Sequence, residues 1–234
     1  MNNLRKSLLV LFTLFAFGLN IWAQSASITV NTEYDLKTAI DNPNYSHIHL
    51  GADIVLQGVQ RDDGKRLYVT LGDREVTLYM DGHSISRDPD SFEDYPDYSY
   101  GQVIHFVSGT LTIASGSNTS GSIISGGHAE NGGGIYVCAN AILKLDGITI
   151  QDCQAENNGG AIYNQGTVEI IQSNNRTTIQ NCTASIHGGG IYNDGGSLTV
   201  STCNISGCTA TDHAGAIWNK GPLTVTNSTF TNNN

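Results

Sequence analysis

The chain has 234 residues and carries 21 acidic against 11 basic side chains, giving a formal net charge of −10. This acidic balance argues against nucleic acid and anionic membrane surfaces as partners. Only 14% of the residues are charged, while glycine and β-branched residues are abundant, which argues against disorder and favours stacked strands. Five cysteines are present, and none has the spacing of a zinc site.

Residues 1–23 have the layout of a signal peptide. Arg5 and Lys6 precede an apolar run from Leu8 to Trp22, and Ala23 is a small residue suited to a cleavage site. The run is short for a membrane span, and no later segment is apolar enough to cross a bilayer as a helix. The sequence predicts a secreted or cell-surface protein with no transmembrane helix in its mature form. An uncleaved N-terminal anchor is the alternative.

Residues 24–56 are predicted to form an N-terminal cap and the first coil of a stacked structure. Helical spacing over Glu33–Asp41, with Thr32 as N-cap, predicts a short amphipathic helix that shields the open end of the stack. Short strands are predicted at Ile28–Val30, His47–Leu50 and Ile54–Leu56.

Residues 57–120 are predicted to form early, less regular coils, with strands at Tyr68–Leu71, Val76–Met80 and Ser84–Ser86. An acidic, aromatic and turn-rich stretch at 88–100 interrupts them and predicts a projecting loop. A solvated insertion is the simpler interpretation of this loop. The functional alternative is contact with carbohydrate or with Ca²⁺, because clustered carboxylates attract that cation.

Residues 121–234 carry a clear internal repeat. A Gly-rich motif ending in Ile and an aromatic residue recurs with its isoleucines at Ile135, Ile162, Ile191 and Ile217. A second motif, Ile-x-x-Cys, places Ile150, Ile179 and Ile205 each 12 residues before the next repeat isoleucine, and Ile123 stands 12 residues before Ile135. Length varies only on the other side of each repeat. A constant path with variable loops on one flank is typical of stacked coils.

Each period contains three short β runs separated by Gly-Gly or Asn-Gly turns. In the third repeat they are Gly190–Asn193, Ser197–Val200 and Asn204–Ser206. Propeller blades need four strands and about 40 residues, and leucine-rich repeats need their leucine ladder. The pattern therefore predicts an all-β, single-stranded parallel β-helix.

Equal positions of stacked coils lie about 4.8 Å apart, so repeated residues become ladders. Two aliphatic ladders are predicted, Ile135–Ile162–Ile191–Ile217 and Ile123–Ile150–Ile179–Ile205–Phe230. An aromatic ladder of Tyr136, Tyr163, Tyr192 and Trp218 lies beside an amide ladder of Asn164, Asn193 and Asn219. Cys153, Cys182 and Cys208 form another ladder, interpreted as small buried side chains, with disulfides between neighbours as the alternative.

The GGAI/GGGIYN motifs and Phe230-Thr231-Asn232-Asn233, which matches FxxN, resemble the repeat of polymorphic outer membrane proteins. Ile150–Cys153, Ile179–Cys182 and Ile205–Cys208 match FxxN only with Ile for Phe and Cys for Asn. The resemblance covers residues 121–234 and implies a right-handed β-helix on an exported bacterial surface protein, such as an adhesin or an autotransporter passenger. It supplies no active site.

Chemistry-bearing residues are sparse. Asp81, His83, Arg87 and Asp88 cluster on an early coil and are the best catalytic candidates, although ordinary polar coil residues are the simpler interpretation. Asp146 and Asp152 have no basic residue at a matching offset. Lys144, Arg176 and Lys220 are the basic residues of the repeat region. No catalytic residue, cofactor or metal site is therefore predicted.

His187 and His213 share one turn position, four residues before the repeat isoleucine, with Asn131 and Asn158 in the earlier coils. Two stacked imidazoles could bind a metal. The asparagines at the same position favour a turn role instead.

The sequence thus predicts an adhesin-like or structural surface module without its own catalysis, which contacts extracellular polysaccharide or the surface of a host or neighbouring cell. The alternative is a polysaccharide lyase or glycoside hydrolase, which needs convergent acids and bases. The chain stops at a repeat boundary, which predicts further repeats or an anchoring domain after Asn234, or a cap supplied by another subunit.

Overall fold

The computed structural model describes residues 26–57, 67–87, 101–117, 119–173 and 175–234. The predicted signal peptide and the predicted loop at 88–100 lie outside these ranges. Within them the chain forms one helix and 22 parallel strands, wound as a right-handed parallel β-helix. The predicted fold class is confirmed.

The helix α1 spans Glu33–Asp41, and the strands, numbered in chain order, form three sheets. The first sheet contains β1 (Ala26–Val30), β2 (Tyr45–Leu50), β4 (Leu67–Tyr79), β6 (Ile104–Ala114), β9 (Ile135–Asp146), β12 (Ile162–Asn164), β16 (Ile191–Asn193) and β20 (Ile217–Asn219), with β13 (Thr167–Ile171), β17 (Ser197–Ser201) and β21 (Leu223–Thr226) alongside. The second contains β3 (Ile54–Leu56), β5 (Ser84–Arg87), β7 (Ile123–Ser125), β10 (Thr149–Gln151), β14 (Thr177–Gln180), β18 (Cys203–Ser206) and β22 (Thr229–Thr231). The third contains β8 (His128–Asn131), β11 (Gln154–Asn158), β15 (Thr183–Ala184) and β19 (Thr209–Ala210).

The N-terminal helix has the predicted bounds and the predicted cap. The Thr32 side chain accepts a hydrogen bond from the backbone N–H of Asp35 at 3.1 Å, which satisfies one of the free donors of the first turn. The buried residues of α1 are Leu36, Ala39 and Ile40. Among the described residues, no helix is both long and apolar enough to span a membrane.

The repeat isoleucines form a continuous core ladder. Ile135, Ile162 and Ile191 pair in register and are fully buried, and Ile217 follows them in the last coil. The ladder also extends one coil earlier than predicted, to Ile104. Stacking in register removes each side chain from water and is the main source of stability in such a structure.

The second aliphatic ladder is confirmed except at its first member. Ile150 pairs with Ile124, which is fully buried, and the assignment of Ile123 was wrong by one residue. The cause is a register shift in the third sheet: Ala155 pairs with Ala129, but Asn158 pairs with Asn131. β11 therefore holds one residue more than β8. The spacing between the second-ladder isoleucine and the next repeat isoleucine, which is constant in the later coils, is one residue shorter in the coil of β8.

The third sheet is a feature that the three predicted runs per coil missed. Its strands are as short as two residues, as in Thr183–Ala184, and lie inside the constant path between repeats. A strand of two residues shows no recognisable alternation of apolar and polar side chains, because several residues are needed to reveal a period of two.

Glycines at the start of each repeat have two different functions. Gly159 has a φ of +69°, the left-handed conformation that a turn requires. Gly160 has no positive φ, but a Cβ on it would lie 2.3 Å from the carbonyl oxygen of Gly189 in the next coil. The second glycine is thus required by close backbone approach between coils.

The cysteine ladder is buried, as predicted, and all five cysteines are free thiols. Cys182 Sγ donates to the carbonyl oxygen of Gln180 at 3.3 Å. Hydrogen bonding with Cys153 and Cys208, together with burial, raises the pKa of the Cys182 thiol. Burial raises the pKa of Cys203 to about 12. Cys182 and Cys203 therefore remain protonated, and the buried cysteines act as small core side chains.

Candidate functional site

An open groove of about 350 Å³ crosses the outer surface where the first sheet turns into the second. Four consecutive coils contribute to it, because Tyr79, Ala114, Asp146 and Ile171 follow one another in register on β4, β6, β9 and β13. Its lining residues are Thr77, Tyr79, Thr112, Ala114, Ser115, Gly116, Ser117, Asp146, Ile171 and Ser173.

The groove lies where a second, shorter stack of rings ends. His49 stacks on one face of Tyr79 at a centroid distance of 4.5 Å. The residue that follows Tyr79 in register is Ala114, which has no ring to cover the second face. Gly116 is also small, and its φ of +88° is a conformation that favours glycine. One face of Tyr79 is therefore left beside the groove.

Asp146 supplies the carboxylate of the groove. Its Oδ1 accepts a hydrogen bond from the backbone N–H of Ser173 at 2.8 Å, which fixes the side chain. Its Oδ2 has no hydrogen-bond donor among the described residues and can accept one from a ligand. The adjacent corner is braced by Asn175, whose Nδ2 donates to the carbonyl oxygen of Thr119 at 2.8 Å.

The groove combines one aromatic face, one carboxylate and several hydroxyl groups. The hydroxyl side chains are Thr77, Thr112, Ser115, Ser117 and Ser173. The described residues that line it include no lysine and no arginine. Such a surface can stack on and hydrogen-bond an uncharged, hydroxyl-rich molecule.

The predicted catalytic candidates do not meet in this groove. Asp81 has a φ of 49° at the turn before β5, and its Oδ2 lies 2.6 Å from His49 Nδ1. Arg87 is buried at the far end of the same strand, where its Nη1 donates to the carbonyl oxygen of Gln102 at 3.4 Å. His83 Nδ1 lies 3.6 Å from Asp53 Oδ1.

Asp88, the remaining catalytic candidate, lies outside the described residues.

The aromatic ladder on the neighbouring face is longer than predicted. Tyr68, His105, Tyr136, Tyr163 and Tyr192 stack with successive centroid distances of 5.2, 4.8, 4.9 and 5.2 Å. The rings cover one another's faces, so those faces cannot also stack on a ligand. We interpret this ladder as structural.

Trp218 pairs with Tyr192 in register, as predicted, but its stacking partner is His187, at a centroid distance of 4.5 Å.

A polar strip accompanies the aromatic ladder. Tyr163 Oη donates to Asp194 Oδ2 at 2.5 Å, and Lys220 Nζ lies 3.4 Å from Asp194 Oδ1. The hydrogen bond from Tyr163 holds the pKa of Asp194 below its ordinary value. Burial, followed by the bond to Asp194, raises the pKa of Tyr163. The strip therefore links neighbouring coils through an ionised carboxylate.

Asp194→Asn is expected to lower the free energy of unfolding near neutral pH by less than about 1 kcal/mol, because the carboxylate is partly exposed. A carboxylate whose pKa is depressed by folding stabilises the fold above its unfolded pKa of about 3.9, and this contribution is lost as the pH falls through the folded value. Urea unfolding of both proteins should show the difference near neutral pH and lose it in acid. An equal difference at every pH would contradict the assignment.

The shared turn position of the two histidines is confirmed. Asn158 forms a parallel bridge with His187, and His187 forms one with His213. Asn158 also pairs with Asn131 in the coil before. In that earlier pair, Asn158 Nδ2 donates to Asn131 Oδ1 at 3.2 Å.

Comparison of the chain with protein-family models, with curated proteins and with solved structures found no match. The resemblance to the polymorphic outer membrane protein repeat stays a prediction from the motifs.

Proposed function

We propose that this chain is an exported surface β-helix module that binds a neutral polysaccharide along the groove and has no catalysis of its own. The observation that carries the proposal is the groove itself, with Tyr79 offering one ring face beside Asp146 and a set of hydroxyl groups. Aromatic faces and hydrogen-bonding groups around them are the features that orient such ligands.

The direction of the groove supports a polymer as the ligand. The groove crosses four coils, and successive coils lie about 4.8 Å apart, so it extends about 14 Å along the axis. That length exceeds what a single sugar needs. A rigid solenoid also holds its surface groups at fixed spacing, which suits a polymer with regularly spaced hydroxyl groups.

The charge of the groove supports a neutral ligand. Asp146 is the carboxylate of the lining, and the whole chain has a net charge of −10. An acidic polysaccharide would be repelled by both unless cations bridged the charges.

The surface location is supported by residues 1–23, which have the layout of a signal peptide, and by the resemblance of residues 121–234 to exported surface repeats. An adhesin-like or spacer role follows from the same features.

The alternative function is a polysaccharide lyase or glycoside hydrolase. Asp146 in the groove favours it, since carboxylates carry out such chemistry. A second acid or a base is also required, and the described lining residues provide neither. The alternative therefore has less support than binding alone.

Tyr79→Ala is expected to weaken polysaccharide binding about tenfold, equivalent to about 1.4 kcal/mol, because it removes the ring face of the groove. Asp146→Asn should weaken binding less. Affinity electrophoresis of the full chain in gels containing neutral or acidic polysaccharides measures both effects. Retardation is expected with at least one neutral polymer.

Tyr34→Ala is the matched control, since Tyr34 is 77% exposed on α1 and does not line the groove. Equal binding by the Tyr79→Ala and Tyr34→Ala proteins would contradict the groove as the binding site. Release of reducing or unsaturated sugars from the same polymers, lost in Asp146→Asn, would favour the enzymatic alternative.

A further inference from the structure

A cluster of two imidazoles and one carboxylate, which are side chains of the types that can bind a metal ion, lies at the turn position that His187 and His213 share. Asparagines fill this position in the preceding coils and bond to each other, with Asn158 Nδ2 donating to Asn131 Oδ1. The two imidazoles replace that amide bond in the last two coils. Their rings lie 5.3 Å apart between centroids and are tilted by 60°.

His187 is held rigidly. Its ring stacks on the indole of Trp218 at 4.5 Å with an interplanar angle of 13°, and it lies parallel to Tyr192 within 5° at 6.2 Å. Only 21% of its side chain is exposed. The imidazole is therefore fixed in orientation before any ligand arrives, which lowers the entropy cost of binding.

Two buried nitrogens in this cluster have no hydrogen-bond partner among the described residues. They are Nδ1 of His187 and Nε1 of Trp218. Buried polar atoms are nearly always satisfied, because a buried donor or acceptor without a partner destabilises the folded state. A neutral imidazole can offer the lone pair of Nδ1 to a cation, and such a cation would satisfy this atom of His187.

Asp212 brings a carboxylate to both histidines. Its Oδ1 lies 2.9 Å from His213 Nδ1, and its Oδ2 lies 3.8 Å from His187 Nδ1. One ligand atom from each of the three residues lies within 4.8 Å of the others. Asp212 and His213 are more than half exposed, so their side chains can move closer without disturbing the core.

We propose that His187, Asp212 and His213 bind one divalent transition metal ion of the Zn²⁺ class. Imidazole nitrogen and carboxylate oxygen are ligands that Zn²⁺ prefers, at about 2.0–2.2 Å. Ligands on such a tetrahedron lie about 3.4 Å apart, which the exposed side chains reach by small rotations. Three protein ligands leave a fourth position for water or for an external ligand.

The ion would connect neighbouring coils, because His187 belongs to one coil and His213 to the next. It would thus replace the amide bond that Asn158 and Asn131 make earlier in the stack. The same position can serve as a turn in every coil and as a metal site only where imidazoles occupy it. This site goes beyond the proposed polysaccharide binding and does not depend on it.

Zinc binding to the full chain, freed of metal by a chelator, tests the proposal. Isothermal titration with Zn²⁺ should show one site, and Co²⁺ in its place should give the intense visible absorption of tetrahedral coordination. Zn²⁺ should raise the melting temperature by mass action. His213→Asn should lower the affinity by more than the tenfold to hundredfold that loss of an outer-shell partner causes.

His213→Asn is suited to the test because asparagine already occupies this position in two other coils, so the turn should form normally. Asp212→Asn is the second variant and should also weaken binding. His128→Asn is the matched control, since it removes an imidazole that pairs with Glu156 elsewhere. Unchanged Zn²⁺ affinity in both test variants, or equal loss in the control, would overturn the proposal.

Discussion

Gly160→Ala is expected to destabilise the protein by about 4 kcal/mol or more, a large part of the stability of a typical domain. A Cβ at this position would lie 2.3 Å from the carbonyl oxygen of Gly189 and 2.4 Å from that of Thr183. Both atoms belong to the backbone of the neighbouring coil and cannot rotate away. The coils would have to separate, which would break the ladder bonds around them.

Gly195→Ala separates this steric effect from backbone strain. Gly195 has a φ of +83° and nothing within 4 Å of its added Cβ, so the substitution should cost only about 1–2 kcal/mol of left-handed strain. Urea unfolding followed by circular dichroism measures both. Equal losses in the two variants would contradict the close approach of the coils at Gly160.

Asn193→Ala is expected to cost about 3 kcal/mol, because it breaks the buried amide ladder at its centre. Asn193 is fully buried. Its Oδ1 accepts from Asn164 Nδ2 at 2.7 Å, and its Nδ2 donates to Asn219 Oδ1 at 2.6 Å and to the carbonyl oxygen of Gly196 at 2.7 Å. Alanine leaves these partners buried with fewer bonds and adds a cavity.

Asn219→Ala is the control for the amide ladder. Asn219 is the last, exposed member, so water replaces its bonds and the loss should stay below about 1 kcal/mol. The free energy of unfolding of each variant is the measurement. A loss from Asn219→Ala as large as that from Asn193→Ala would show that burial does not set the strength of the ladder.

The regular part of the fold could be predicted because stacking turns sequence spacing into spatial order. The ladders of Ile135 and Asn164 follow directly from it and are confirmed. Ile123 was assigned wrongly because one extra residue in β11 shifts the register. A single unpaired residue changes no composition and no periodicity, so spacing alone cannot locate it.

Backbone conformation restricts the residue that precedes each ladder cysteine. Asp152, Asn181 and Gly207 each precede a ladder cysteine, and all three have a positive φ, between 52° and 63°. Aspartate, asparagine and glycine are the residues that tolerate this conformation best. The second variable position of Ile-x-x-Cys therefore lies in a turn with positive φ, which explains why only aspartate, asparagine and glycine occur there.

The groove was harder to predict than the ladders. Tyr79 and Asp146 lie in register with Ala114 between them, but they come from coils of unequal length. The sequence does not mark Asp146 as a site residue, because no basic residue stands at a matching offset. An interrupted aromatic position shows only when the early coils are aligned, and their insertions hide that alignment.

The approach of Asp212 to His187 could not be predicted from the sequence for a related reason. Asp212 lies in a turn, and only the pairing of two coils brings its carboxylate close to His187.

Hydroxyl-radical footprinting of the full chain tests most directly whether the groove is the binding surface. It is done with and without a neutral polysaccharide that binds the protein in affinity electrophoresis. Oxidation of Tyr79 should fall when the polymer is bound, because the ligand covers the ring face beside Ala114. Oxidation of Tyr34, exposed on α1, should stay the same. Unchanged oxidation of Tyr79 under conditions where the polymer is bound would contradict the proposed function.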